Sequence, residues 1–427
     1  MKINTVEKSF DEVMALPRWK HKNPKKPSFL LATLVRLLCI PTLRKTKFSY
    51  TTEGMEQIEG KPCLILMNHS SFTDMKLAYA IFYPKRRLSI VAATDGFVGI
   101  LGHLMRWLGC MPTQKFISDI TLIRDMEYAL KKLKTSVLMY PEASYSFDGT
   151  ATALPRKMGV LLKKLGVPVV TVITQGAFAR DPLYNMLQLR NVQVSAHVKC
   201  LLTAEQIQEK TVQELDAMLD EAFSFDNFAW QRDNGVVIDV PYRADGLERI
   251  LYKCPHCGVE GSLEGKGIDI TCHACGKSWH MDGLGQLHAK AGETEFSHIP
   301  HWYAWERDQV RKELEDGTYV LDTDVDIGVL VDYKALYMVG SGHLHHDTNG
   351  FHLTGCDGKL DYSQSPVACY GLYADFYWYE IADVIGIGTK DAQYFCLPKE
   401  KVSVAKARMA VEELYKLKKV RKVRRSV

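Results

Sequence analysis

Short apolar runs alternate with longer helical patterns between residues 48 and about 233, and this alternation constrains the fold more than any other feature. The runs with the length and composition of buried strands are 62–67, 88–93, 136–140, 167–173 and 192–198. Helical periodicity fills the stretches between them, as at 121–134 and 157–165. Strands that alternate with helices predict an α/β layer with a mostly parallel sheet and flanking helices. In such sheets, functional sites gather where strands end and helices begin.

Overall composition excludes several classes of protein. The chain has 427 residues, of which 46% are hydrophobic, so it can form packed cores in about three structural units. A net charge of +4 argues against a globally basic nucleic-acid coat and against an acidic solvating chain. The eleven cysteines are an odd number, and the sequence opens without a signal-peptide pattern. These features predict a reducing cytoplasmic setting in which thiols bind metal or pack.

The N-terminal segment combines a short apolar run with many cations. Residues 18–47 contain nine Lys or Arg residues and no Asp or Glu. The apolar run 29–40, which Pro41 is expected to end, would form a helix of about 18 Å. This is shorter than the bilayer core of about 30 Å, and no apolar run of 18 residues predicts a spanning helix. Basic flanks favour contact with an anionic membrane surface, and a buried helix with solvated flanks is the alternative.

The sequence N-H-S-S-F-T-D at positions 68–74 follows a predicted buried strand and precedes a helical pattern. His69 and Asp74 would lie about 140° apart on a regular helix, so they converge more easily if His69 precedes the helix and Asp74 begins it. A carboxylate bonded to one imidazole nitrogen fixes the tautomer and leaves the other nitrogen as a general base. The spacing alone is weak evidence for catalysis.

Four blocks, in this order, resemble the glycerolipid acyltransferase family, which includes bacterial 1-acyl-glycerol-3-phosphate acyltransferases. The family's N-H-x4-D motif is similar to Asn68, His69 and Asp74, and its glycine-to-basic block is similar to residues 109–115, which end at Lys115. Its F-P-E-G-T-R block resembles Y-P-E-A-S-Y at 140–145, and its G-x-P-V-V-P-V strand resembles residues 166–172. The resemblance covers roughly residues 28–230.

The resemblance implies an O-acyltransferase that moves an acyl chain from acyl-CoA or acyl-carrier-protein to a hydroxyl of a lysophospholipid or glycerolipid, such as 1-acyl-glycerol-3-phosphate. His69 would deprotonate the hydroxyl, and Asp74 would orient His69. Amides after His69, or those of the 142–144 turn, would hold the oxyanion. No catalytic cofactor is expected. The implied substrate-binding residues are Asn68, Lys115, Glu142, Ala143 and Ser144, with Glu142 positioning the acceptor and Lys115 approaching its phosphate.

Two departures from the third block concern the acceptor. Ala143 replaces the family's glycine, and Tyr145 replaces the arginine that the family associates with the acceptor phosphate. Arg156 and Lys157 could supply positive charge instead. For Lys115, Arg156 and Lys157 alike, a solvated basic face is the alternative. A different lysolipid or glycolipid acceptor also remains open. The alternative function is that of a non-catalytic protein that uses the same fold to bind lipid or nucleic acid.

Two C-x2-C pairs predict a metal site in the second half of the chain. Cys254 and Cys257 form the first pair, and Cys272 and Cys275 form the second after fourteen intervening residues. Four thiolates in this layout are typical of a closed zinc ribbon, whose zinc stabilises folding and offers no open position for catalysis. The ribbon carries few cations, which argues against nucleic-acid binding and favours an adaptor or packing role.

The last third predicts a β-rich domain. Residues 317–397 are dense in Tyr, Val, Ile and Gly, with strand-like runs at 318–321, 327–332 and 373–381 and a hairpin turn at 348–350. Apolar periodicity predicts a helix at about 402–418. Strands closed by one C-terminal helix resemble a pleckstrin-homology-like barrel, at the level of the fold alone. The tail 416–425 has seven cations and no acid, and lipid contact, another partner and a solvated end are its alternatives.

Together these patterns predict five segments along the chain. They are membrane-interface helices (1–47), an acyltransferase domain (48–235), a zinc ribbon (250–282), a β-rich domain with a C-terminal helix (317–418) and a basic tail (419–427). Residues 18–47 and 416–425 contribute +9 and +7 to a chain whose net charge is only +4. These basic ends predict a peripheral protein on the cytoplasmic face of the inner membrane.

Overall fold

The computed structural model describes residues 2–117, 119–155 and 157–424. The chain opens with a short strand, β1 (Thr5–Glu7), and the helices α1 (Phe10–Met14) and α2 (Phe29–Lys45). The region that follows contains β2 (Ser49–Glu53), β3 (Leu64–Met67), α3 (Asp74–Phe82), β4 (Leu88–Ala93), α4 (Ile100–Trp107), β5 (Met111–Thr113), α5 (Ile120–Lys131), β6 (Ser136–Met139), α6 (Met158–Leu165), β7 (Val169–Gln175), α7 (Ala177–Arg180), β8 (Ser195–Leu202), α8 (Ala204–Glu209), α9 (Val212–Ala222) and α10 (Asn227–Asp233).

The strands of this region form one sheet in the order β2-β8-β7-β3-β6-β4-β5. All neighbouring strands run parallel except β7 and β8. The residues of the central strand β3 are fully buried, because helices cover both faces of a parallel sheet. The expectation of a mostly parallel α/β sheet is therefore confirmed. The carboxyl end of β3 leads directly into the segment 68–74.

Each of the five expected strands begins within three residues of the start of its apolar run. β4 spans the expected 88–93, whereas β8 begins three residues after the expected run 192–198. Val192 and Val194 are buried in the segment before β8, so their side chains pack in the core although their backbone lies outside the strand.

Pro41 does not end α2, which continues to Lys45. A proline in a helix leaves one carbonyl four residues earlier without its partner, here that of Leu37. The Leu37 side chain is 55% exposed, so this part of α2 faces solvent and water can satisfy the carbonyl. Among the described residues, no helix combines the length and apolar character that spanning a membrane requires.

The second half contains the ribbon, a long helix and a β-rich region. Its elements are β9 (Leu263–Lys266), β10 (Asp269–Cys272), β11 (Ser278–Met281), β12 (Leu287–Ala289), α11 (Ile299–Asp316), β13 (Leu321–Leu330), β14 (Leu336–Asp347), β15 (Gly350–Gly355), β16 (Leu360–Gln364), β17 (Tyr373–Trp378), β18 (Ala382–Gly388), β19 (Gln393–Pro398) and α12 (Val404–Arg424).

The last seven strands form an antiparallel sheet in the order β16-β15-β14-β13-β19-β18-β17, which α12 follows. The β14–β15 hairpin turns through Thr348 and Asn349 as expected, with Asp347 paired to Gly350. The expected runs 318–321 and 327–332 both overlap the single strand β13. A β-rich region closed by one C-terminal helix is therefore confirmed, and its pleckstrin-homology-like character remains a prediction.

The regions are not arranged as simply as their order in the sequence suggests. β1 pairs in parallel with β14, so the first strand of the chain lies in the C-terminal sheet rather than in an N-terminal membrane segment. α12 packs along α11 and contacts β17. It continues six residues beyond the expected end at 418, so the helix enters the basic tail, whose residues 425–427 lie outside the described residues.

Candidate active site and metal centre

Asn68 shapes the loop between β3 and α3. It is fully buried, and its Oδ1 accepts hydrogen bonds from the backbone N–H (2.8 Å) and the hydroxyl (3.0 Å) of Thr174 at the end of β7. Its Nδ2 donates to the Ser70 hydroxyl at 3.1 Å. These bonds join the ends of two neighbouring strands and fix the start of the loop that carries His69.

His69 and Asp74 come together as expected. Nδ1 of His69 lies 2.9 Å from Oδ2 of Asp74, the first residue of α3. The same oxygen accepts the backbone N–H groups of Ser70 (2.8 Å) and Ser71 (3.0 Å). Three donors on one carboxylate oxygen fix the orientation of both side chains. The two serine amides are thereby engaged, and in the 142–144 turn the Ala143 N–H donates to the Tyr140 carbonyl at 3.1 Å.

Burial shifts the pKa of both members of this pair. The Asp74 side chain is 1% exposed; burial raises the pKa of Asp74, and the N–H groups of Ser71 and Ser70 oppose this rise because they donate to the carboxylate. Burial, followed by the charge of Lys115, holds the pKa of His69 well below its usual value. A lowered pKa keeps the imidazole uncharged at neutral pH, which is the form that can accept a proton.

Aromatic rings enclose the imidazole of His69. The ring of Tyr140 stacks on it at a centroid distance of 4.0 Å and an angle of 19°, and the ring of Tyr145 lies 3.9 Å from it at 32°. Phe72, 53% exposed, stacks in turn on Tyr145 at 4.9 Å. Only 17% of the His69 side chain is exposed. Sequence reasoning missed both tyrosine contacts, although the two tyrosines flank Pro141 and Glu142 in the block that resembles the family's third motif.

Glu142 lies behind His69 and is fully buried. Its Oε1 accepts the backbone N–H of His69 at 3.2 Å, and its Oε2 accepts the N–H and hydroxyl of Thr152, both at 2.8 Å. Burial raises the pKa of Glu142 to about 7, against the effect of these donors. The backbone N–H of Ser146 also donates to the carbonyl of His69 at 3.0 Å. Both oxygens of Glu142 are thus engaged within the chain, and the role of Thr152 had no signal in the sequence.

Ala143 and Ser144 form the turn after Glu142. Ala143 has a φ of 57°, in the left-handed region where a glycine is less strained, and the family has glycine at this position. Ser144 is 2% exposed and its hydroxyl donates to the Tyr145 carbonyl at 3.3 Å. The turn therefore keeps the glycine-like backbone conformation despite the substitution.

The structure describes two of the three cations that were expected at the site. Nζ of Lys115 lies 4.1 Å from the centroid of the Tyr373 ring on β17, and its charge acts on His69. Lys157 is exposed before α6, and none of its described contacts reaches His69. Arg156 lies outside the described residues. Of the two described cations, Lys115 is the one whose charge acts on the imidazole.

The four cysteines of the ribbon converge. Their sulfur atoms all lie within 4.8 Å of one another, with Cys254 to Cys275 at 3.9 Å and Cys257 to Cys272 at 3.8 Å. Zinc–sulfur bonds of about 2.3 Å in a tetrahedron place sulfur atoms about 3.8 Å apart, so the residues fit zinc.

The surroundings of the cysteines agree with that fit. Gly258 and Gly276 follow the two pairs with φ of 76° and 77°, which the tight turns require. The neighbouring histidines bond elsewhere: His256 pairs with Glu295 at 3.2 Å, and His273 pairs with Glu264 at 2.9 Å.

Comparison with known proteins gives a family match and a similar solved structure. Residues 49–175 match the family model Acyltransferase, so this region carries an acyltransferase domain. The crystal structure of the 1-acyl-sn-glycerophosphate (LPA) acyltransferase PlsC from Thermotoga maritima is similar at 17% identity. The similarity covers 45% of this chain and 76% of that chain, with a TM-score of 0.36. No curated protein matches the sequence at a significant level.

Proposed function

We propose that this acyltransferase domain esterifies the hydroxyl of a lysophospholipid or another glycerolipid with an acyl chain from acyl-CoA or acyl-carrier-protein. The observation that carries the proposal is the buried pair of His69 and Asp74, with Nδ1 and Oδ2 2.9 Å apart, at the carboxyl end of the central strand. A site at this edge of a parallel sheet is where a ligand is expected. The identities of the acyl donor and of the acceptor headgroup are part of this proposal.

The proposed reaction uses His69 as general base and then as general acid. Asp74 accepts the Nδ1–H, so Nε2 carries the free lone pair. Nε2 takes the proton of the acceptor hydroxyl while the oxygen of that hydroxyl attacks the thioester carbonyl carbon. The tetrahedral intermediate then collapses, the carbon–sulfur bond breaks, and the imidazolium returns the proton to the leaving thiolate. The products are an ester and a free thiol.

The surroundings of His69 support this role. The imidazolium that forms in the reaction is stabilised by the Asp74 carboxylate, which lies in a buried setting where such a contact is strong. Tyr140 and Tyr145 restrict the imidazole to one orientation and keep water from most of its surface. For the oxyanion we propose a backbone amide of the 142–144 turn other than that of Ala143, whose N–H donates to the Tyr140 carbonyl. Asn68 and Glu142 would act by shaping the loops around His69 rather than by touching substrate.

The headgroup of the acceptor would approach Lys115. Its ammonium acts electrostatically on His69 and is therefore the described cation that we assign to a phosphate or other anionic group. Lys157 and Arg156 remain proposed contributors to headgroup binding. Because Tyr145 stands where the family has arginine, 1-acyl-glycerol-3-phosphate is one acceptor among several to be compared.

The lipid substrate would be reached from an anionic membrane surface on the cytoplasmic side. α2 and α4 adjoin, because the Ser28 N–H donates to the Trp107 carbonyl at 2.9 Å and Nζ of Lys25 lies 4.6 Å from the Trp107 ring. The exposed apolar side chains on these helices are Phe29, Leu30, Leu34, Leu37 and Leu38 on α2 and Ile100, Leu104 and Trp107 on α4. Exposed apolar residues beside cations favour an interfacial position on lipid.

The zinc ribbon would act as a structural element. Trp279 on β11 packs against Trp302 on α11 at a centroid distance of 5.0 Å, and both rings are fully buried. This contact joins the ribbon to the long helix and supports a packing role rather than nucleic-acid binding.

The test is acyl transfer from labelled acyl-CoA and labelled acyl-carrier-protein to a panel of lysolipids, among them 1-acyl-glycerol-3-phosphate. His69→Ala should abolish transfer to every acceptor. His197→Ala is the matched control, because His197 lies in the same sheet, is 48% exposed and pairs with Glu53. Equal transfer by wild type and His69→Ala would overturn the mechanism. Binding of lipid or RNA by a wild type that transfers no acyl chain would favour the non-catalytic alternative.

A further inference from the structure

The loop that contacts His69 is also held from the far end of the chain. Arg408, on α12, is 2% exposed, and its NH1 donates to the backbone carbonyl of Tyr145 at 3.0 Å. Its Nε donates to Oε1 of Glu412 at 3.1 Å, and its guanidinium carbon lies 4.4 Å from the centroid of the Phe147 ring. A buried guanidinium is costly unless it is paired and hydrogen-bonded, so these contacts hold one defined geometry.

A single peptide group connects Arg408 to His69. The carbonyl oxygen of Tyr145 accepts from Arg408, and the N–H of the same peptide, that of Ser146, donates to the carbonyl of His69 at 3.0 Å. A peptide group is planar, so its oxygen and its N–H cannot turn independently. The Tyr145 ring, attached beside this peptide, stacks on the imidazole of His69. Rotation of the peptide would therefore disturb His69 through its backbone and through its ring contact.

Arg408 is in turn fixed by the other long helix. Oε2 of Glu412 accepts from NH1 of Arg307 on α11 at 2.6 Å, and Glu413 accepts from the same nitrogen at 3.3 Å. Glu412 and Glu413 are 7% and 3% exposed at their side chains, so these ion pairs are shielded from solvent. The guanidinium of Arg408, which contacts the Tyr145 carbonyl, is therefore held in place by ion pairs between α11 and α12.

We propose that Arg408 is a positioning residue for His69, so that the C-terminal helix is a required part of the acyltransferase site. This inference rests on the proposed acyl transfer, because positioning matters only if His69 performs the reaction. Arg408 would hold the Tyr145–Ser146 peptide in the orientation that presents its N–H to His69. The regions outside the acyltransferase domain would thereby contribute to catalysis without touching substrate.

The experiment compares three variants of the full-length chain. Arg408→Met removes the charge and keeps much of the side-chain length, whereas Arg408→Lys keeps the charge with fewer donors. Arg311→Met is the matched control, because Arg311 lies on α11, is 47% exposed and contacts Glu413 and Glu315 rather than the loop. We expect Arg408→Met to lower kcat about 10- to 100-fold, since a misplaced catalytic group costs about that much. KM for both substrates should stay within about twofold, and Arg408→Lys should recover part of kcat.

A second measurement does not depend on activity. Hydrogen–deuterium exchange of the Ser146 amide should rise at least about tenfold in Arg408→Met and remain at the wild-type rate in Arg311→Met. A folded Arg408→Met with wild-type kcat and wild-type exchange would overturn the inference. If Arg408→Met does not fold, unchanged kcat and exchange in Arg408→Lys would overturn it equally. A wild type without His69-dependent transfer would instead overturn the proposed function, and the exchange data would then decide the loop contact alone.

Discussion

Replacement of Asp74 by asparagine tests the role of the His69–Asp74 pair most directly. The amide oxygen of the introduced side chain can still accept the N–H groups of Ser70 and Ser71, so the loop should keep its shape. The same oxygen faces Nδ1 of His69 and can accept its N–H, so His69 keeps the tautomer with the free lone pair on Nε2. What the substitution removes is the negative charge that stabilises the imidazolium formed in the reaction. The substitution therefore changes the chemistry of the site more than its structure.

The size of the effect follows from the geometry. Opposite charges 2.9 Å apart, as in the imidazolium–carboxylate pair of the transition state, attract by about 6 kcal/mol at an effective dielectric of about 20. A neutral amide keeps some of this attraction through its dipole, so we expect a loss of about 4 kcal/mol. This loss corresponds to about a 1,000-fold lower kcat.

The assay is single-turnover acyl transfer, with melting temperature as the control for folding. Asp74→Ala serves as comparison, because it leaves two buried N–H groups unpaired and should destabilise the fold by about 1–3 kcal/mol per group. Folded Asp74→Asn that keeps more than about a tenth of wild-type kcat would refute the reasoning, since the charge of the Asp74 carboxylate would then not matter.

Four further outcomes are expected. Removal of zinc by chelation, or Cys275→Ser, should lower the melting temperature by about 10 °C, measured with metal content. Stability should fall by up to about 3 kcal/mol as pH rises from about 4.5 to about 7, because burial raises the pKa of Glu142 to about 7; Glu142→Gln should flatten this dependence. Leu34→Asp should weaken binding to anionic vesicles about tenfold in sedimentation assays. Ala143→Gly should stabilise the fold by about 1 kcal/mol in denaturant titrations.

Each of these outcomes has a control variant or a result that would contradict it. Cys369→Ser should leave the zinc content and the melting temperature unchanged, because Cys369 lies outside the cysteine cluster. Val320→Asp should not affect vesicle binding, since this exposed residue precedes β13 in the C-terminal region. A steep pH dependence that survives in Glu142→Gln would assign the effect to other buried carboxyls. A less stable Ala143→Gly would mean that the turn is not strained.

The sequence alone predicted the elements whose signals are local. The apolar run of β3, the N-H-x4-D segment and the two C-x2-C pairs each carry their information within a few residues. The convergence of His69 with Asp74 could be expected because the strand-to-helix loop brings the two side chains to one place. The cysteine cluster could be expected because its two turns have fixed geometry.

The contacts that were missed join distant parts of the chain. Thr152 bonds to Glu142 across a loop with no motif, and Arg408 reaches Tyr145 from 263 positions away. No periodicity or spacing in one sequence encodes such pairs. The unexpected continuation of α2 past Pro41 has a related cause, because the cost of a proline depends on whether water can reach the freed carbonyl.

The pairing of β1 with β14 has a consequence for the time course of synthesis. Thr5 aligns with Leu336, so the first strand made must wait for a partner that is added more than 300 residues later. At about 5–20 residues per second, this wait lasts roughly 15–65 s on the ribosome. Arg408 is added later still, after the whole acyltransferase sheet has emerged. A nascent chain would therefore carry a folded sheet while the Tyr145 carbonyl still lacks its contact with Arg408, and this contact can form only when the last helix docks.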